Sequence, residues 1–403
     1  MQMNTIWQFA TAANIRFGRG CSGQLAIELQ RFHVTRPMVI TDKTIANLPS
    51  VAPLLQSLQR SFTSVTVFDG CVPEPPIETA EAAIAFGTAS GVDGIVALGG
   101  GSNLDIGKIV ATVLRHGGAP RDYFGFDVVP GPTLPLIAIP TTAGTGSEVS
   151  HSAVLTDTIA QTKVSTLSRW LRPSVAIVDP ALTDSCPAVV TAHSGIDALV
   201  HAIEAVTNRD YSEMTGVDPQ ARAYEGSYPL TRLIGGEAIR LVGKFLVRAY
   251  QTPSDQEARD GMALAALLAG MAFSNSGVAL VHALEYPIGG LTHCSHGEGN
   301  GLLLPHVMRF NLPASAASMA EVAMWLGSDT NGLPANVAAE AAIEAVVKLQ
   351  QAVNIRMRLS ELGLEHKQIP WVAGKAFQIK RLMDVNPRRP SEQDLVAILE
   401  SAY

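Results

Sequence analysis

Through about residue 185 the chain alternates short apolar or β-branched runs with helix-like stretches. Met38–Thr41, Val65–Phe68, Gly94–Leu98, Leu134–Ile139 and Val175–Val178 are the candidate strands, and each runs into a polar or glycine-rich turn. That alternation predicts an α/β domain over 1–186, built on a mostly parallel sheet with helices on its faces. Beyond Pro187 the β-branched runs give way to Ala, Leu, Met, Glu and Arg, with spacing near 3.6 through 340–353 and 391–400. The second part, 187–403, therefore predicts an all-α domain, interrupted by a polar loop from Asp210 to Thr231 that is rich in Gly, Pro and Tyr.

Composition narrows the classes of function. The 29 basic and 36 acidic residues leave a net charge of −7, which argues against nucleic acid or an anionic membrane as the main partner. With 47% hydrophobic and 16% charged residues the chain carries enough apolar surface for well-packed cores. Residues 261–284 contain no Asp, Glu, Lys or Arg, but Ser274-Asn275-Ser276-Gly277 interrupts the apolar run, leaving a length typical of a buried helix rather than a bilayer span. His282 is placed on this uncharged helix, with His293 and His296 beyond a glycine turn at Gly289-Gly290. Four scattered cysteines and the lack of an apolar leader in the first twenty residues point to a reducing, cytoplasmic setting.

Chemistry is expected at the carboxyl ends of the strands, where open α/β sheets bind ligands. The strand ending at Leu98 meets Gly99-Gly100-Gly101-Ser102 and then a helix holding Asp105 and Lys108. Glycines let backbone approach a phosphate, and the helix N-terminus favours negative charge. Ser102 and Asp105 have the spacing of a capping pair. The spacing fits neither the usual dinucleotide fingerprint nor a P-loop, and the triplet also suits a simple tight turn. Asp42, at the end of the first strand, is placed to accept from a ribose diol and to repel a 2′-phosphate; it also suits a solvated strand end. Thr141-Thr142-Ala143-Gly144-Thr145-Gly146-Ser147 gathers hydroxyls after another strand. Three such loops on one sheet edge favour an extended nucleotide.

The helical half supplies metal-ligand chemistry. Asp197 and His201 are four apart and share a helix face. His282 lies in apolar sequence, and His293 and His296 follow closely. One aspartate with three histidines suits Fe2+ or Zn2+ with a position left for water or a substrate oxygen. A nucleotide site together with such a cation points to hydride transfer, in which the cation acidifies an alcohol oxygen. Tyr286 and His293 are the candidates for a proton relay.

Four blocks in order resemble the iron-containing (group III) alcohol dehydrogenases: Gly99 to Lys108, Pro140 to Glu148, Gly195 to Glu204 and His282 to Gly297. The resemblance spans nearly the whole chain. It implies a dehydroquinate synthase-like fold, with an N-terminal dinucleotide-binding α/β domain, a C-terminal helical domain and an active site in the cleft between them. It implies Asp197, His201, His282 and His296 as metal ligands. It also implies contact with NAD(P) through Asp42, Gly99, Gly100, Gly101, Ser102, Asp105, Thr141, Thr142, Thr145, Ser147 and Lys163. Many members carry a second histidine where this chain has Tyr286, and Ala223-Tyr224-Glu225-Gly226-Ser227 with Tyr286-Pro287 resembles the hydroxyacid-oxoacid transhydrogenase branch. The expected function is hydride transfer between NAD, with NADP the alternative, and a primary alcohol/aldehyde pair. The alternatives are a 4-hydroxybutyrate/2-oxoglutarate transhydrogenase and a non-catalytic metal- and nucleotide-binding protein. The expected partners are a small alcohol, aldehyde or hydroxyacid and further copies of the chain in a homo-oligomer, with neither nucleic acid nor membrane.

Overall fold

A computed structural model describes residues 6–160, 162–214 and 222–403. It divides into two compact units, Thr11–Cys186 and Pro187–Tyr403, the second joined by the N-terminal segment up to Ala10. That segment is counted with the α/β domain from sequence, yet Trp7 stacks on Tyr228 with ring centroids 4.5 Å apart. Ala10 N donates to Asn275 Oδ1 at 2.8 Å, and Asn275 Nδ2 returns a bond to Ala10 O at 2.9 Å.

In the first unit the strands are β1 (Asn14–Phe17), β2 (Pro37–Ile40), β3 (Thr66–Phe68), β4 (Gly94–Gly99), β5 (Gly125–Phe126), β6 (Leu136–Pro140), β7 (Ser152–Asp157), β8 (Thr162–Leu167) and β9 (Val175–Val178). The helices are α1 (Leu25–Arg31), α2 (Lys43–Ala46), α3 (Ala52–Ser61), α4 (Ile77–Ser90) and α5 (Gly101–His116). Six strands form a wholly parallel sheet in the order β1-β9-β6-β4-β2-β3. Its central strands are apolar on both faces because both are covered. Along β4, Ile95 and Ala97 enter one core cluster while Val96 and Leu98 enter the other. The chain runs from β2 outward to β3 and then back past β2 to β4, so the loops after β2 and β4 sit at a topological switch point. A second sheet, β5-β8-β7, includes the antiparallel pair β7 and β8. Its short strands and β1 do not stand out from the apolar pattern: β7, Ser-Ala-Val-Leu-Thr-Asp, alternates half-buried and buried positions, and β8, Thr-Lys-Val-Ser-Thr-Leu, is mostly polar and half-buried.

The second unit is helical: α6 (Ala188–Thr207), α7 (Pro229–Gln251), α8 (Gln256–Ser276), α9 (Leu280–Thr292), α10 (His296–Trp325), α11 (Ala335–Ala352), α12 (Ile369–Phe377), α13 (Lys380–Val385) and α14 (Glu392–Ser401). Of the expected loop from Asp210 to Thr231, residues 215–221 lie outside the described residues, and α7 already begins at Pro229. The uncharged stretch is mostly buried, and among the described residues no single helix is long and apolar enough to cross a membrane. One expectation is corrected. The helical break falls at Gly277–Ala279, before His282, and α9 runs on through Gly289 and Gly290 to Thr292. His282 is thus on a separate helix from the uncharged run of α8, and the glycine pair is helical.

Candidate active site

The metal-ligand candidates rest on three helices. On α6, Asp197, His201 and Glu204 fall at helical spacing and share one buried face. α9 carries His282, Glu285 and Tyr286, and α10 opens with His296 and carries Asn300 one turn later. One ligand atom from each of Asp197, His201 and His282 lies within 4.8 Å of the others, and all three residues are buried. His296 Nε2 approaches Asp197 Oδ1 to 4.0 Å. The His201 ring stacks between Phe273, at 4.3 Å, and His282, at 4.8 Å. Gly297 lets this assembly close: a Cβ there would sit 2.1 Å from the carbonyl oxygen of His193 on α6.

Two glutamates, neither singled out as a site residue from sequence, set the imidazoles. Glu204 Oε2 accepts from His282 Nδ1 at 2.6 Å and from Ala279 N at 2.9 Å, while its Oε1 accepts from Val281 N at 2.7 Å. The carboxylate of α6 therefore caps the first turn of α9, which has no side-chain cap of its own. Glu285, fully buried, accepts from His296 Nδ1 at 2.5 Å. With the Nδ1 protons committed to carboxylates, the Nε2 lone pairs of both rings face the cluster, the arrangement in which imidazole binds a cation. Glu204 and Glu285 each follow a ligand histidine by three residues and Asn300 follows His296 by four, a helical spacing that could have flagged them. Burial works to raise the Asp197 carboxyl, but His201, His296, His282 and the Asn300 amide together hold it below the usual carboxylate range. A carboxylate with three imidazoles, pre-oriented and buried but for the half-buried His296, fits a divalent cation of the iron or zinc kind.

The two relay candidates separate. The Tyr286 ring lies 6.5 Å from the His282 ring and 6.1 Å from that of His296, and the residue is buried. His293 is the left-handed C-cap of α9, at φ 55, and is exposed.

In the first unit the residues expected to meet NAD(P) sit on the loops after β2, β4 and β6, neighbouring strands of the sheet, and on β8. Asp42 caps α2 by accepting from Ile45 N at 2.9 Å, and its other oxygen accepts from Asn103 Nδ2 at 2.9 Å. Those two bonds leave lone pairs on a half-buried carboxylate. Gly99 requires its residue type, since φ is +143 and a Cβ would meet Asn103 Nδ2 at 1.9 Å. Gly100 is the N-cap of α5, so the expected Ser102–Asp105 capping pair does not form. Asp105 instead accepts from Ser147 Oγ at 2.6 Å and from Val154 N at 2.9 Å, tying α5 to the β6 loop and to β7. Thr141 Oγ1 is buried with no hydrogen-bond partner among the described residues, whereas Thr142 and Thr145 are half-buried beside Gly100 and Gly101. Lys163 pairs with Glu74 at 2.9 Å. Lys108 Nζ donates to Ser150 O, Ser150 Oγ and Ser152 O at 2.7–3.1 Å, which makes it a buried strut.

Residues 12–180 match the family described as iron-containing alcohol dehydrogenase, and residues 191–403 match the C-terminal part of the same family. The chain belongs to the iron-containing alcohol dehydrogenase family. Long-chain-alcohol dehydrogenase 1 of Geobacillus thermodenitrificans is 37% identical over 389 residues, covering 96% of this chain and 94% of that one. Mitochondrial hydroxyacid-oxoacid transhydrogenase of Rattus norvegicus is 32% identical over 415 residues, covering 97% and 88%. A solved structure of 1,3-propanediol oxidoreductase matches with a TM-score of 0.92 at 34% identity, covering 99% of this chain and all of that one. This iron-containing alcohol dehydrogenase is accordingly an oxidoreductase acting between alcohols and aldehydes, of a family that implies NAD(P) and iron or a similar metal.

Proposed function

We propose that this chain is a divalent-metal-dependent, NAD-preferring dehydrogenase of a small primary alcohol. The observation that carries the reading is the buried group of Asp197, His201 and His282, with the Nδ1 proton of His282 committed to Glu204. Asp197, His201, His282 and His296 would hold the cation, Fe2+ or Zn2+, which when bound acidifies an alcohol oxygen and stabilises the charge left there. A bound nicotinamide would supply the hydride acceptor for that oxidation, with the alcohol proton passing to solvent. Glu204 and Glu285 keep the rings in the ligating tautomer. Asp197, His201 and His282 are buried, while His296 is half-buried and leaves a side of the group open to a substrate oxygen. We assign the proton path to the Tyr286 hydroxyl rather than to His293, because Tyr286 is packed against two of the ligand rings and His293 is an exposed helix cap.

For the cofactor, Gly99–Gly101 and the amides opening α5 suit a diphosphate. Asp42 suits an unphosphorylated ribose diol, and Thr141 offers a buried hydroxyl that lacks a partner. Ser102, Thr142, Thr145, Ser147, Asp105 and Lys163 complete that lining directly or by bracing it. Purified protein loaded with Zn2+ or Fe2+ and given NAD with primary alcohols or 1,3-propanediol, a substrate class named for a relative, tests the reading. Stoichiometric appearance of reduced nicotinamide supports it. Consumption of 2-oxoglutarate against 4-hydroxybutyrate with no reduced nicotinamide released would assign the chain to the transhydrogenase chemistry named for its rat relative.

A further inference from the structure

Asn300 occupies a singular place in this cluster. It is fully buried, and its Nδ2 lies 2.8 Å from Asp197 Oδ1, 3.2 Å from His282 Nε2 and 3.1 Å from His296 Nε2. Its other end, Oδ1, is buried with no partner among the described residues. The acceptors differ in capacity. A carboxylate oxygen has two lone pairs and can keep the Asn300 bond while serving a second partner. A neutral imidazole has one lone pair on its acceptor nitrogen, and with Nδ1–H given to Glu204 or Glu285 that lone pair is on Nε2. An Nε2 that accepts from Asn300 cannot at the same time bind a cation.

We propose that the Asn300 carboxamide competes with the cation for the Nε2 lone pairs of His282 and His296, setting how tightly and how exchangeably the ion is held. The amide retains Asp197 as its anchor and turns off the two rings when a cation loads. Oδ1 makes no hydrogen bond among the described residues, so the turn breaks none on the far side of the carboxamide. The role rests on reading Asp197, His201, His282 and His296 as a cation site, and it makes Asn300 a positioning residue.

Competition between Zn2+ and a chromogenic chelator tests it on wild type, His282→Ala, Asn300→Ala and Asn300→Leu, the last retaining side-chain bulk without a donor. Displacing a hydrogen bond to a ligand is worth about tenfold in affinity, so both Asn300 variants should bind Zn2+ roughly tenfold more tightly. Their chelator-treated forms should unfold at lower temperature than chelator-treated wild type, because the acceptors then face one another without a donor. Unchanged or weaker Zn2+ affinity in an Asn300 variant that folds would overturn the competition while His282-dependent binding still stood. If wild type and His282→Ala bound Zn2+ equally, the cation site itself would fail and the inference with it.

Discussion

Replacing Glu204 by Gln removes one charge and turns one acceptor into a donor while leaving shape unchanged. The Glu204 carboxylate is 4% exposed and meets three donors: Ala279 N, Val281 N and His282 Nδ1. A carboxamide can offer its oxygen to only one side of that set. With the oxygen toward Ala279 and His282, its NH2 opposes the Val281 N–H inside the protein. With the amide reversed, His282 must move its proton to Nε2, and the ring no longer presents a lone pair to the cluster. Breaking a buried charged pairing of this kind costs about 3–5 kcal/mol. For a unit of this size that corresponds to a fall of roughly 10 °C in Tm. Loss of an outer carboxylate behind a ligand histidine weakens metal binding roughly 10–100-fold. Differential scanning calorimetry and chelator competition read the two effects separately, and Glu204→Asp, which keeps the charge, should recover part of both. A Glu204→Gln protein that unfolds at the wild-type temperature and binds Zn2+ within about twofold of wild type would refute the claim that this carboxylate builds the site.

Two further outcomes follow from the first unit. Asp42→Gly should raise use of NADP relative to NAD in steady-state ratios, with only a few tenths of a kcal/mol lost at the α2 N-cap, since glycine replaces a capping aspartate at little cost; an unchanged ratio would remove Asp42 from cofactor choice. Glu148 is buried, and burial pushes its carboxyl from 4.5 up to about 7, with Lys108 pulling the other way. Its folded form therefore favours the neutral acid, so its contribution to stability is full below 4.5 and is lost as pH rises to about 7, at most about 3 kcal/mol. Lys108, lowered by burial to about 8 with Glu148 among the groups holding it up, stays mostly charged across that window in wild type. The stability difference between wild type and Glu148→Gln should fall across that range, whereas a flat difference would count against a buried neutral Glu148.

The elements legible from sequence were those with long apolar runs. β2, β4, β6 and β9 are covered on both faces, so their composition announces them, and their polar ends correctly mark the sheet edge. β1, β5, β7 and β8 are short or carry polar residues, and their pairing depends on partners distant in sequence. Asp197 and His201 show through because four-residue spacing is local. The break before His282 does not, because the cap that permits it comes from Glu204 on another helix, 78 residues away. The Ser102–Asp105 pairing was overridden for a similar reason: Ser147 and Val154 offer Asp105 donors that local spacing cannot reveal.

The central claim is met most directly by measuring bound metal and NAD affinity together in wild type and His282→Ala. His282 belongs to Pro187–Tyr403, whereas the residues assigned to NAD belong to Thr11–Cys186. Wild type should carry about one equivalent of divalent ion per chain and His282→Ala close to none, with NAD binding by calorimetry little changed. Retention of the ion by His282→Ala, or an equal collapse of NAD affinity, would contradict the account.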